Sequence, residues 1–314
     1  MDMERIYAAR KRLQHFIHMT PLIYSALLNR ELKKHIWLKL ETQLPTGSFK
    51  PRPAFNSILT HLDAAREHGV IASSSGNFAQ GVAYAARELG VSAMIVMTNN
   101  TSPYKIKRTK DYGAEVVLCG DTHQDRVETT KQLQAKTGRV LLHPYDSEET
   151  IAGDASIGLE LSDQLGEKFN HNVTVLVPVS GGGLIAGIAF ALKNLHPNCK
   201  IIGIQPENNG SLAKSFAAGQ CEFSSIGKTI ADGLSSSIPG EIPFSIIKDY
   251  VDDVVSVTED EIRFATQFLV EQHKLVVEPS GAVPVAALFA NKISAQNVVC
   301  IISGGNVSVK VEYK

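Results

Sequence analysis

The sequence predicts an α/β protein of two lobes, each a mostly parallel sheet flanked by helices. Three observations predict it. Apolar, β-branched runs recur along the chain at VIASSS (70–75), AMIVMT (93–98), AEVVLCG (114–120), VTVLVPV (173–179), CKIIGIQ (199–205) and NVVCIIS (297–303). Helix-patterned segments lie between them, and strands alternating with helices form parallel sheets covered on both faces. The runs also fall into two groups, about 70–120 and about 173–303, parted by the polar stretch HPYDSEET (143–150). A length of 314 residues agrees with two lobes, since a domain averages roughly 150 residues.

In chain order, the opening MDMERIYAARKRLQHF is charged and helix-periodic, and IWLKLETQ (36–43) is extended. AQGVAYAARELG (79–90) and SPYKIKRTKDYG (102–113) are helical, and each ends on a glycine, Gly90 and Gly113, that can take the left-handed conformation of a helix C-cap. Thr258 and Glu261 have the spacing of a capping box that opens EDEIRFATQFLVEQHK. No internal repeat or low-complexity segment is present. The basic run Lys105 to Lys110 reads as the solvated face of a helix, and His61 and His68 as surface residues.

Composition narrows the function classes. Hydrophobic residues are 44% and charged residues 20%, the balance of a globular chain rather than a disordered one. Thirty-one Lys and Arg against 32 Asp and Glu give a net charge of -1, which provides no field for nucleic acid or anionic lipid. No window of eighteen apolar residues and no signal-type h-region occurs, so a cytoplasmic protein without membrane partners is expected. Cys119, Cys199, Cys221 and Cys300 are widely spaced, as for small apolar residues in a reducing compartment.

Ligands of open parallel sheets lie beyond the carboxyl ends of strands, and four motifs stand there. Ser180, Gly181, Gly182 and Gly183 follow a buried strand and open an apolar helix, which suits an anion held by backbone N–H groups. The motif is neither a Walker A loop nor a GxGxxG fingerprint. Thr46-Gly47-Ser48-Phe49-Lys50 places a lysine beside an aromatic, either a Schiff-base nucleophile or a solvated side chain. Ser73, Ser74, Ser75, Gly76, Asn77 and Phe78 offer hydroxyl and amide donors, as an anion site or as a polar helix cap. Ser303, Gly304, Gly305 and Asn306 end an apolar strand, presenting one neutral hydroxyl beyond the sheet.

Taken together, GSFK (47–50), SSGN (74–77), PVSGGGLIAGIA (178–189), TIADGL (229–234), VDDVVSVTEDEI (251–262), EPSGA (278–282) and SGGN (303–306) resemble the pyridoxal-phosphate enzymes of the threonine/serine dehydratase and serine racemase family, fold type II, tryptophan synthase β-like. The resemblance runs over nearly the whole chain in the family's order. It implies pyridoxal 5'-phosphate as cofactor, with Lys50 as Schiff-base lysine, Phe49 beside the ring, Asn77 on its phenolic oxygen, Ser180 to Gly183 on the phosphate and Ser303 facing the pyridine nitrogen. It implies a substrate carboxylate held by the run at 74–77 through Ser74, Ser75 and Asn77, with Phe78 also at the substrate site, and catalysis by Lys50 and Ser75. A neutral partner at the pyridine nitrogen stabilises a carbanion less than a carboxylate would, which favours β-elimination. The expected activity is therefore dehydration of L-threonine or L-serine to a 2-oxo acid and ammonia. The alternatives are racemisation with Lys50 and Ser75 as opposite-face bases, dehydration of another β-hydroxy amino acid such as 3-hydroxyaspartate, and β-replacement.

The resemblance also implies a large cofactor-binding domain of residues 1–52 and 147–314, a small mobile domain of 53–146, and a homodimer. The chain ends soon after SGGN, so no appended regulatory domain is expected. Four departures from the family concern the substrate: Phe78 where relatives carry His, Pro51 and Pro53 around Arg52, Asp154 in IAGDAS where an amide is frequent, and HPYD at 143–146. Asp154 is expected either to select a substrate bearing a cation or to make a structural hydrogen bond. At the family's divalent-cation site, Gln205 and Ser211 replace both carboxylates, so no metal is expected there, with Glu207 left as an irregular alternative.

Overall fold

The computed structural model describes residues 1–307. Helix α1 (Met3–Leu13) leads to β1 (Leu22–Tyr24), α2 (Ala26–Leu32), β2 (His35–Leu40), α3 (Pro51–Thr60) and α4 (Leu62–His68). Then come β3 (Val70–Ser73), α5 (Asn77–Glu88), β4 (Ala93–Thr98), α6 (Pro103–Asp111), β5 (Glu115–Cys119), α7 (His123–Thr137) and β6 (Val140–Leu142). The remainder is α8 (Glu148–Leu165), β7 (Val173–Pro178), α9 (Gly183–Leu195), β8 (Lys200–Pro206), α10 (Ser211–Ala218), α11 (Glu241–Tyr250), β9 (Asp253–Val257), α12 (Glu259–Glu271), α13 (Pro279–Phe289) and β10 (Asn297–Ile302).

Two sheets result. One has the order β1-β2-β10-β7-β8-β9 and is parallel except for the β1–β2 pair. The other, β5-β4-β3-β6, is parallel throughout. Strands β4 and β7 are buried along their whole length, which is why they read as unbroken apolar runs. Strands β1, β6 and β9 do not announce themselves: β1 and β6 are three residues long, and β9 is half-exposed at an edge. The chain also departs from a simple division in sequence. Strands β1 and β2 belong to the larger sheet, so the smaller sheet is inserted between β2 and β7.

Capping follows the sequence. Thr258 and Glu261 form the reciprocal capping box at α12, and Thr122 and Asp125 form another at α7. Beyond α5, Gly90 takes φ +66°, a conformation that side chains with a Cβ resist. Helices α8 and α9 approach closely because a Cβ on Gly187 would stand 2.5 Å from the Ile151 carbonyl oxygen. Almost every residue of α8 from Thr150 to Leu161 is buried, including Asp154 and Glu160.

The first turn of α3 is fastened to α8 and to the turn after β2 by a buried ion network. Arg52 Nε donates to Glu41 Oε2 at 2.7 Å, Nη1 to Glu160 Oε1 at 2.6 Å and Nη2 to Glu160 Oε2 at 2.9 Å. Lys39 Nζ donates to Glu160 Oε2 at 2.5 Å. Pro51 and Pro53 flanking Arg52 cost nothing here, because the first helical turn has no intrahelical acceptor for their missing N–H groups.

Candidate active site

The motifs that follow β3, β7 and β10, with the lysine beyond β2, meet around one cavity of about 680 Å³. Its wall includes Phe49, Lys50, Ser73 to Phe78, Ser180 to Ile185 and Ser303. Phe49 N donates to the Ser303 carbonyl at 3.0 Å, and Ser48 bridges to Gly304, so the lysine segment is pinned to the end of β10.

Lys50 caps α3 and is only partly accessible, at the cavity wall. Its Nζ donates to the Pro144 carbonyl at 2.8 Å and stands 4.6 Å from the Phe49 ring centre and 5.4 Å from that of Phe78. Burial pushes its pKa down, while the Asp154 carboxylate pushes it back up. An amine with lowered proton affinity is more nucleophilic at neutral pH, which is what a Schiff-base lysine needs. The Pro144 carbonyl is fixed by His143, whose Nδ1 accepts from Asp146 N at 2.7 Å and from Tyr145 N at 3.4 Å. Burial holds His143 below the usual histidine pKa, which keeps it neutral and able to accept.

The glycine loop turns backbone amides toward the cavity. Among the described residues, the amides of Gly182, Gly183 and Leu184 have no acceptor in the protein, and they lie at the N-terminus of α9 on the cavity wall. Gly182 takes φ +99° to turn them there. The Tyr145 ring lies so close against the loop that a Cβ on Gly181 would collide with its Cγ. Ser180 Oγ accepts from Ser236 N at 2.9 Å, which ties the loop to the segment closing the cavity from the far side. Free amides at a helix N-terminus, a reactive amine, and a buried Ser73 hydroxyl without a partner fit the phosphate, aldehyde and polar edges of pyridoxal phosphate.

Asn77 is held at both ends. Its Nδ2 donates to Glu278 Oε1 at 2.6 Å and its Oδ1 accepts from Asn306 Nδ2 at 2.9 Å, which leaves one amide hydrogen free. Glu278 also accepts from Asn306 N at 3.2 Å, and burial raises its pKa to about 7. Ser74 Oγ accepts from Gly76 N at 3.3 Å, which shapes the turn into α5. Ser75 Oγ accepts from Thr101 Oγ1 at 2.8 Å and from Arg126 Nη1 at 3.3 Å. Phe78 is buried and supplies an apolar wall in place of a polar ring.

Arg126, His123 and Lys105 complete the wall near Ser75; nothing in the sequence singled out the first two, and Lys105 reads there only as part of a solvated basic run. Arg126 stands in the first turn of α7 in an ordinary charged pattern, so only the fold reveals that it points inward. The basic run corrects the expectation of a uniformly solvated face. Lys105 lines the cavity and pairs with Asp232 across its mouth, Arg108 reaches Tyr112 Oη at 2.9 Å, and Lys107 alone pairs within the exposed helix face. Asp154 answers neither expectation. It is fully buried, lines no part of the cavity wall, and neither carboxylate oxygen has a hydrogen-bond partner. Burial lifts its pKa to about 7 against the pull of Lys50 and Arg52. At the expected cation site, Ser211 Oγ donates to the Ser236 carbonyl and Gln205 bonds Ser256 and the Ala213 amide, so both side chains are engaged by the protein.

A family model described as pyridoxal-phosphate dependent enzyme matches residues 13–304. Among curated relatives, an L-threonine ammonia-lyase of Thermotoga maritima is 41% identical over 99% of this chain and 77% of its own. Among solved structures, a threonine deaminase from T.th. is 39% identical with TM-score 0.93, over 99% of this chain and 100% of that one. Maize serine racemase is 34% identical with TM-score 0.94, over 98% and 94%.

Proposed function

We propose, for a chain that belongs to the pyridoxal-phosphate-dependent enzymes, that it is a threonine/serine ammonia-lyase removing water from a β-hydroxy amino acid. One observation carries the reading: the buried amine of Lys50 faces the same cavity as the free amides of Gly182 to Leu184 and the hydroxyl and amide groups of residues 74–77. Pyridoxal phosphate, when bound, supplies the electron sink that makes the substrate Cα–H bond acidic. Ser180 to Gly183 hold its phosphate, Phe49 flanks the ring, Asn77 offers its remaining amide hydrogen to the phenolic oxygen, and Ser303 offers a hydroxyl to the ring nitrogen. Ser74, Ser75 and the backbone N–H of Asn77 receive the substrate carboxylate, with Phe78 as the apolar floor. The Lys50 amine takes the α-proton, the β-hydroxyl departs with a proton as water, and the enamine product hydrolyses to 2-oxo acid and ammonia.

A second reading has its own observation. Ser75 stands between the Arg126 guanidinium and Thr101, both donating to its Oγ, an arrangement that stabilises an alkoxide. It favours Ser75 as a second acid/base, and hence amino acid racemisation. We also assign residues 53–146 to a small mobile domain and residues 1–52 with 147–314 to the cofactor domain, in a cytoplasmic homodimer. The test is a coupled 2-oxo acid assay on the yellow protein with L- and D-threonine, L- and D-serine, threo-3-hydroxyaspartate and 3-phenylserine, with chiral analysis of unreacted substrate. Oxo acid from L-threonine or L-serine is expected. Inversion without oxo acid establishes the racemase instead, and silence on every substrate overturns both.

A further inference from the structure

The buried carboxylates of this chain are paired with protein groups, with one exception among the described residues. Glu41 and Glu160 hold Arg52, and Glu278 accepts from Asn77 and Asn306. Both oxygens of Asp154 are buried without a partner. An unpaired buried carboxylate is costly in its charged form, so the groups around it decide whether it ionises.

Helices α3 and α8 run antiparallel and face to face. Asn56 Nδ2 donates to the Glu149 carbonyl at 2.7 Å, and a Cβ on Gly153 would meet Pro53 Cα at 2.7 Å and the Arg52 carbonyl oxygen at 2.8 Å. Arg52 reaches Ser156 one turn further along α8. Asp154 therefore lies opposite the first turn of α3, whose N-cap is Lys50. On its other side α9 contributes Gly187 against Ile151 and Ala155, and the GLIAGIAFAL face brings no charge. The charged groups acting on Asp154 are Lys50 and Arg52 from α3 and Glu41 from the turn after β2, with Lys50 the strongest. Arg52 is already committed to Glu41 and Glu160, whereas the Lys50 ammonium has a neutral carbonyl as its hydrogen-bond partner.

We propose that Asp154 is the counter-charge of Lys50, a positioning residue set behind the cavity wall opposite the helical turn that the lysine caps. The inference builds on Lys50 as the working base but not on the identity of the substrate. A desolvated amine alone makes a good nucleophile and a poor acceptor for the substrate α-proton. A carboxylate behind it restores acceptance without entering the cavity or touching the substrate.

The coupling is reciprocal, so it can be read from either partner. In the full chain without cofactor, the carboxyl C=O infrared band that disappears in Asp154→Asn is titrated in wild type and in Lys50→Ala. Loss of the lysine charge is expected to move the ionisation of Asp154 upward by about 1–3 pH units. With pyridoxal phosphate bound, Asp154→Asn is expected to shift the pH dependence of the visible absorbance band downward, while Asp154→Glu leaves it near wild type. An Asp154 band indifferent to Lys50→Ala overturns the proposal, even if the protein releases 2-oxo acid. A shifted band in a protein inactive on every amino acid leaves the coupling standing and removes only the ammonia-lyase reading.

Discussion

Replacing Arg52 by Met keeps most of the side-chain volume and removes the centre of the buried ion network. The five N–H groups of the guanidinium reach six acceptor contacts at 2.6–3.3 Å, on Glu41, Ser156, Glu160 and Thr20, one hydrogen of Nη2 being shared. Glu41 and Glu160 then remain buried with Lys39 as the one nearby cation among the described residues, and stranding a buried partner costs about 3–5 kcal/mol. For 314 residues the unfolding entropy is about 0.66 kcal/mol/K, so the midpoint of thermal unfolding falls by about 5–8 °C. The sign of the pH dependence is fixed by the wild type. Arg52 and Lys39 hold the Glu160 pKa below the ordinary carboxylate range, so its stabilisation is present above that range and is lost as pH falls through the lowered value. In the variant, burial without Arg52 favours the protonated Glu160 carboxyl. The gap between the two proteins therefore widens as pH rises from about 5 to 8. Scanning calorimetry of both proteins across that interval measures it. A loss under about 1 kcal/mol, or a gap that narrows with rising pH, would refute the view that this network is held together by charge.

Three further outcomes are expected. Gly181→Ala drives a methyl group into the Tyr145 ring and weakens pyridoxal phosphate binding at least about tenfold, measured by equilibrium dialysis; unchanged affinity would show that the ring swings away freely. Ser75→Ala retains 2-oxo acid release within about tenfold while abolishing any inversion of unreacted substrate, read by chiral chromatography, whereas equal loss of both makes Ser75 a carboxylate ligand only. The Glu278 carboxyl, raised to about 7 by burial, binds its proton more tightly folded than unfolded, so stability falls as pH rises from about 4.5 to 7. Glu278→Gln removes that slope, worth roughly 3 kcal/mol, and urea titrations at the two pH extremes test it.

The legible parts of this protein are those written in local chemistry. Strands β4 and β7 show as apolar runs because both faces are covered, and the loop at 180–183 shows because only glycines bring several amides to one point. Lys50, Asn77 and Ser303 are recognisable together and not singly, since a lysine, an asparagine and a serine carry no signal until several strand ends converge. Arg126 and Lys105 were illegible for the opposite reason: they stand in charged, polar stretches of sequence, and only tertiary packing turns Lys105 from α6, and His123 and Arg126 from α7, toward the cavity. Asp154 lay between. Its place in IAGDAS, where relatives frequently carry an amide, marked it as odd, but the sequence suggested a substrate selector or a hydrogen bond, and the fold leaves it off the cavity wall with neither oxygen partnered.

The insertion of the smaller sheet between β2 and β7 means that the chain crosses between the lobes twice, outward before α3 and back before α8. Lys50 lies on the outward crossing and Pro144 on the return, and the hydrogen bond between them is a clasp across the two tethers. The amine that must be spent on chemistry is also the fastener. Whatever engages the Lys50 amine in the cavity therefore competes with its hydrogen bond to the Pro144 carbonyl.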